Sequence, residues 1–160
     1  MGQRAKIGVI AVCFSMALAY TLSNLLGGGG AYESRNVERV WMKDLASGEL
    51  FDAGVQKAVH PPITTDSGGQ AVKAHVFACG DCNDESKQFI AYLEKYLPEA
   101  HEMFASGRRD LNILAKTHVV RADDEDRWVP IGSPEGVAII KKRNERCGTQ
   151  TLVPCFPTTP

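Results

Sequence analysis

The sequence predicts an α+β protein with one N-terminal transmembrane helix, followed by a small mixed domain held by cysteine crosslinks or a Cys-rich metal knuckle. Three observations predict it. Residues 7–26 form an apolar run without a charge, and alternating and helical hydrophobic spacings interleave along the rest. Four cysteines beyond the run fall into two close pairs, Cys79/Cys82 and Cys147/Cys155. At 160 residues, 44% hydrophobic and 23% charged, the chain is neither wholly disordered nor a coiled-coil rod nor a polytopic membrane protein. A net charge of -1 offers no general attraction to a phosphate backbone, so nucleic acid is not an expected partner.

Residues 1–6 are basic through Arg4 and Lys6, and no further charge occurs until Glu33. A helix over Ile7–Leu26 would be about 30 Å long, which matches the hydrocarbon thickness of a bilayer. The rival reading is a cleaved signal peptide, with Ala17-Leu18-Ala19 as a small-x-small cleavage site. The run continues past that site to Leu26, which favours a retained anchor. Positive charge before the span and mixed charge after it place the N-terminus in the cytoplasm of an inner or cytoplasmic membrane. The single-pass chain then carries a periplasmic or extracellular domain over residues 34–160, joined by a Gly-rich tether over 27–33. Residues 31–160 hold 16 basic and 19 acidic side chains, a charge of -3.

Ser34 can cap a helix over about 35–46, in which Val37, Val40, Trp41 and Leu45 recur at helical spacing, and Gly48 ends it. Residues 55–59 read as a short strand or a helical extension. His60-Pro61-Pro62 and Thr64 to Gly69 read as a loop. In residues 71–78, Val72, Ala74, Val76 and Ala78 alternate with Lys73, His75 and Phe77, the clearest strand pattern in the chain. After Cys82 a helix is expected from Asn83 or Asp84, with Phe89, Tyr92, Leu93, Tyr96 and Leu97 as its stripe. Pro98 opens a second helix through Phe104, stopped by Gly107. Another strand is expected within 113–120, centred on His118-Val119-Val120. Ser133-Pro134-Glu135 is a strong helix start, with the helix running to about Arg146 and the tail beyond Cys147 left as a loop.

The cysteines carry the most chemistry. As structural disulfides, Cys79, Cys82, Cys147 and Cys155 allow three connectivities, and spacing does not choose among them. As a four-cysteine zinc knuckle, Cys79-x-x-Cys82 would aim two sulfurs at one metal and the distant pair would complete the tetrahedron. The seven residues between Cys147 and Cys155 exceed the usual ligand spacing. The strand, C-x-x-C, helix order is also generically similar to thiol-redox folds. That similarity implies Cys79 as attacking thiol and Cys82 as resolver. Ala78 stands where the thioredoxin-like family carries tryptophan, and Asp81 disfavours a neighbouring thiolate.

No other residues assemble a recognised site. The sequence lacks a G-x-S-x-G elbow, a Walker loop and a G-x-G-x-x-G fingerprint. His75, four residues before Cys79, leaves Cys-His metal binding open. Glu94 and Glu99 are two acids of a kind common on solvated faces. The expectation is a non-catalytic, membrane-anchored accessory or assembly subunit of a larger complex. Its partners would be lipid and other membrane-protein subunits, with no catalytic residue and no cofactor. A membrane-tethered thiol-disulfide oxidoreductase and a structural zinc-binding interaction module are the alternatives.

Overall fold

A computed structural model describes residues 37–158. Eight strands form one antiparallel sheet. They are β1 (Arg39–Asp44), β2 (Leu50–Gly54), β3 (Ile63–Thr64), β4 (Gln70–Cys79), β5 (Gln88–Tyr96), β6 (His118–Arg121), β7 (Val129–Pro130) and β8 (Leu152–Pro154). The order is β2-β1-β4-β5-β6-β7, with β3 and β8 also pairing with β4. Helices α1 (Pro98–Ala105), α2 (Leu111–Thr117) and α3 (Pro134–Lys142) complete the α+β fold.

The ten-residue strand β4 organises the sheet, and its sequence explains why. Val72, Ala74, Val76 and Ala78 form one buried cluster with Leu93 and Cys155. Phe77 belongs to a second cluster with Tyr92, Val120 and Val129, over which Ile139 and Ile140 of α3 pack. Both faces of the strand are thus covered, as a central strand requires.

The expected helix over 35–46 is instead β1. Val40, Met42 and Asp44 are its buried positions, so period two wins over the helical spacing. The pair Trp41↔Asp52 lies within the β1–β2 ladder, and ladder hydrogen bonds favour the strand. Asp44 Oδ1 accepts the N–H groups of Ala46 and Ser47 (2.7 and 3.0 Å), and Gly48 takes φ 76° to close the turn.

The expected helix after Asp84 is corrected as well. Only a single 3-10 turn forms, over Glu85–Lys87, and the aromatic stretch is strand β5. The cause is a bulge. His75 pairs with Tyr92 while Val76 pairs with Ile90, leaving Ala91 as an extra residue. The bulge brings Phe89 and Tyr92, three residues apart, to one face, and so imitates a helical stripe.

Pro98 does open a helix, α1. The strand expected around His118-Val119-Val120 forms as β6, but residues 111–117 before it fold as α2, because Asp110 Oδ1 caps the N–H groups of Asn112 and Ile113 (2.8 and 3.3 Å). In α3, Ser133 Oγ accepts from the Gly136 N–H (3.0 Å). The α-helix ends at Lys142, short of Arg146. The tail read as a loop contributes β8, paired with the end of β4 through Phe77↔Pro154 and Cys79↔Leu152.

The fold class with a transmembrane helix is also corrected. Among the described residues no helix is long and apolar enough to cross a membrane, and the longest, α3, has nine residues. The span expected at 7–26, its basic lead and its tether lie outside the described residues. The architecture supported is an α+β domain with two disulfide bonds. The single-pass inner-membrane placement and the lipid and membrane-subunit partners rested on that helix, and they are withdrawn with it.

Candidate functional site

The four cysteines of the domain pair crosswise. Cys79 bonds Cys147 and Cys82 bonds Cys155, with Cα atoms 5.2 and 5.5 Å apart. The end of β4 and the turn after it are thereby joined to the C-terminal segment, which lays β8 along β4. This corrects two expectations. A redox C-x-x-C would bond Cys79 to Cys82, whereas each is tied to a different distant partner. A zinc knuckle would need four thiolates, and all four sulfurs are in disulfides. Among the described residues no group of three or more His, Cys, Asp or Glu is arranged to hold a metal.

A polar cluster stands on the sheet between the hydrophobic clusters. His75 on β4, Glu94 on β5 and His118 on β6 are brought together by strand register, through Lys73↔Glu94 and Tyr96↔His118. His75 Nε2 lies 2.6 Å from Glu94 Oε2, and His118 Nε2 lies 3.1 Å from Glu94 Oε1. The Glu94 side chain is 12% exposed. Burial by itself would raise its pKa. The imidazoles of His118 and His75, with help from Lys73, outweigh burial and hold the carboxyl far below the usual carboxylate range.

Aromatic rings extend the cluster on both sides. His75 stacks on Tyr92 (4.1 Å between centroids) and His118 stacks on Tyr96 (4.5 Å). Tyr96 meets Phe104 of α1 edge-on at 5.2 Å, and Phe104 stacks on His60 at 3.8 Å. His101 lies 6.4 Å from Phe104, so all four histidines of the chain join one run across the sheet. His60 is held below its ordinary pKa by desolvation and by His101 nearby.

Beside His75 the sheet forks. β1 pairs with β4 only from Asp44↔Ala71 to Met42↔Lys73, yet it stays with β2 as far as Arg39↔Gly54. β8 takes over the same edge of β4 at Phe77, and the Cys155 N–H donates to the Val76 carbonyl at 2.9 Å. Between the diverging hairpin and β8 lies a cavity of about 420 Å³. Its walls are Val37, Val40, Trp41 and Val55 on one side and Pro154, Cys155 and Phe156 on the other. Residues Lys73 to Phe77 of β4 form its floor. Among the described residues Lys73 and His75 are its only ionisable side chains, and Lys73 has no ion-pair partner there. The second disulfide builds the cavity, since Cys155 and its neighbours are one wall.

The sequence singled out the cysteines and His75 but did not bring Glu94 and His118 to them. Reading Glu94 as one of two acids of a kind common on solvated faces hid it. The available signal was the alternation of Tyr92, Glu94 and Tyr96, which puts three polar-tipped side chains on one face once β5 is a strand. The fold and its site describe a disulfide-bonded α+β domain with an ionisable cleft. No protein-family model, no curated protein and no solved structure matches the chain.

Proposed function

We propose that the domain is a binding module for a small amphipathic anion, held in the cleft between the β1–β2 hairpin and β8. The observation that carries this reading is the composition of the cleft. Its walls are apolar apart from the Trp41 indole N–H, which has no hydrogen-bond partner among the described residues, and among those residues its only ionisable side chains are Lys73 and His75 on the floor. The cavity is of ligand size, within the range of about 300–1,000 Å³ common for such sites. An alkyl or aryl acid matches it, with its chain against Val37, Val40 and Phe156 and its charge at Lys73. Glu94 does not neutralise that lysine by contact, because both of its oxygens face imidazoles.

The second support is mechanical. A fork between two strand pairs would close or fray unless its walls were held. Cys82–Cys155 holds the C-terminal wall, and the β1–β2 ladder holds the other.

The test is an NMR titration of the ¹⁵N-labelled protein with sodium 1-octanesulfonate and with 1-octanol. Saturable shifts confined to residues 37–41, 73–77 and 154–156, stronger for the sulfonate, are expected. Absence of saturable shifts there, or a preference for the alcohol, would overturn the reading.

A further inference from the structure

We propose that the anion taken by the cleft is the free C-terminus of another polypeptide, held as a short parallel strand on the open edge of β1. The inference rests on the reading of the cleft as an anion site and names the chemical class of its occupant.

β1 has a strand neighbour on both sides only up to the fork. Its ladder with β4 stops at Met42↔Lys73, whereas its ladder with β2 continues to Arg39↔Gly54. Among the described residues, Arg39, Val40 and Trp41 are therefore paired on one side alone.

Alternation fixes which backbone groups face the opening. The Leu45 N–H donates to the Gln70 carbonyl beside β4, and the Glu38 carbonyl accepts from the Val55 N–H beside β2, each at 2.9 Å. Backbone groups of an antiparallel strand turn to its two edges alternately. Counting back from Leu45, the groups of Lys43, Trp41 and Arg39 turn toward β4, and past the fork the last two face the cleft. Among the described residues no bond crosses the fork to the Trp41 N–H or to the Arg39 carbonyl.

Those two groups flank Val40 on its open side. One residue of a parallel strand uses such a pair: its N–H donates to the carbonyl before its neighbour, and its own carbonyl accepts from the N–H after. The last residue of a chain fits with its N–H on the Arg39 carbonyl and one carboxylate oxygen on the Trp41 N–H. The carboxylate then lies at the closed end of the fork, where Lys73 has no ion-pair partner among the described residues.

The opposite wall does not compete for this strand. The Cys155 N–H is given to Val76 of β4, so Pro154 is the residue whose backbone turns away from β4, and proline has no N–H to offer. The Arg39 guanidinium is engaged by Asp52 of β2. Val37, Val40 and the exposed Phe156 receive the apolar side chains of the bound terminus. Main-chain bonds to a sheet edge supply affinity in such complexes, and here capture of the carboxylate sets the register.

NMR titration of the ¹⁵N-labelled full chain with the peptide acetyl-Ser-Val-Leu, carrying a free carboxylate, tests this beside a titration with sodium 1-octanesulfonate. Saturable peptide-induced shifts should include the Trp41 amide, and its hydrogen exchange should slow. The C-terminal amide of the same peptide should bind about tenfold more weakly, as loss of a charge-assisted hydrogen bond requires. Methylating the leucine nitrogen should weaken binding about threefold or more, the effect of one neutral hydrogen bond. In Lys73→Met the acid and the amide should bind alike. Octanesulfonate binding without peptide binding would overturn the inference and leave the cleft reading standing, as would a native chain indifferent to amidation or to methylation. Failure of both ligands to bind would overturn both.

Discussion

His75 and Glu94 lie on neighbouring strands with Nε2 and Oε2 2.6 Å apart, and the contact joins the edge of the cleft to a buried carboxylate. Because the sheet register creates it, the contact depends on the whole ladder and not on any local sequence motif.

Glu94→Gln should destabilise the fold at pH 7 by about 1.5–3 kcal/mol, the range for losing a hydrogen bond to a charged group, here the one from His75. The sign with pH follows from linkage. Glu94 titrates lower in the folded protein than in the unfolded chain, where its value is near 4.5. Its contribution is therefore present above that value and lost as pH falls below it. Urea unfolding from pH 7 to 3 should show a steeper acid-side loss in the native chain than in Glu94→Gln. Equal slopes would refute the assignment.

His60 adds a milder loss in the same direction. Its folded pKa is lowered from an ordinary 6.5 by desolvation, then by His101. Stability linked to His60 is present above about pH 6.5 and declines as the pH drops through the folded value. His60→Phe should preserve the stack on Phe104 and flatten the stability profile between pH 7 and 5. A profile unchanged by that substitution would remove His60 from the account.

Gly136→Ala separates helix propensity from packing. Alanine in a helix interior is favoured over glycine by about 1 kcal/mol. At this position, however, a Cβ would collide with the Pro130 carbonyl oxygen and come within 2.9 Å of the Ile131 carbonyl oxygen, both backbone atoms. Overpacking should win, with a net loss of about 1–3 kcal/mol. Thermal unfolding gives the sign directly, and a stabilised variant would show that α3 can move away from β7.

Each disulfide links residues far apart in sequence, with separations of 68 and 73. The chain-entropy relation assigns roughly 4 kcal/mol to a single loop of that size. Replacing Cys82 and Cys155 together by serine should cost about 2–5 kcal/mol and also weaken octanesulfonate binding, because that pair holds a wall of the cleft. Replacing Cys79 and Cys147 should cost similar stability with less effect on binding. The native chain, denatured without reductant, should show no more than one titratable thiol per chain, since four of its five cysteines are bonded.

Lys73→Met keeps the length and apolar stem of the side chain and removes its charge. Affinity for octanesulfonate should fall about tenfold or more, in line with the loss of a hydrogen bond to a charged group. Affinity for 1-octanol should hold or rise. Calorimetry with both ligands reads the difference, and an equal loss for both would mean that Lys73 only shapes the cleft.

The β4 strand, the start of α1 at Pro98, the Ser133 cap and the importance of four cysteines were legible in the residues themselves. Each depends on local physics: alternation, proline geometry, a hydroxyl beside free N–H groups, and composition. Three features were decided by tertiary structure. The β1 segment satisfies both periods, and only its pairing with Leu50–Gly54 on one side and with β4 on the other selects the strand. The β5 segment mimics a helix because the bulge at Ala91 shifts its phase. The cysteine partners and the approach of His75, Glu94 and His118 join residues up to 73 positions apart, and only the ladder order β8-β4-β5-β6 settles which of them meet. Spacing along the chain constrains near neighbours, whereas contacts across a sheet depend on register, which the folded ladder alone supplies.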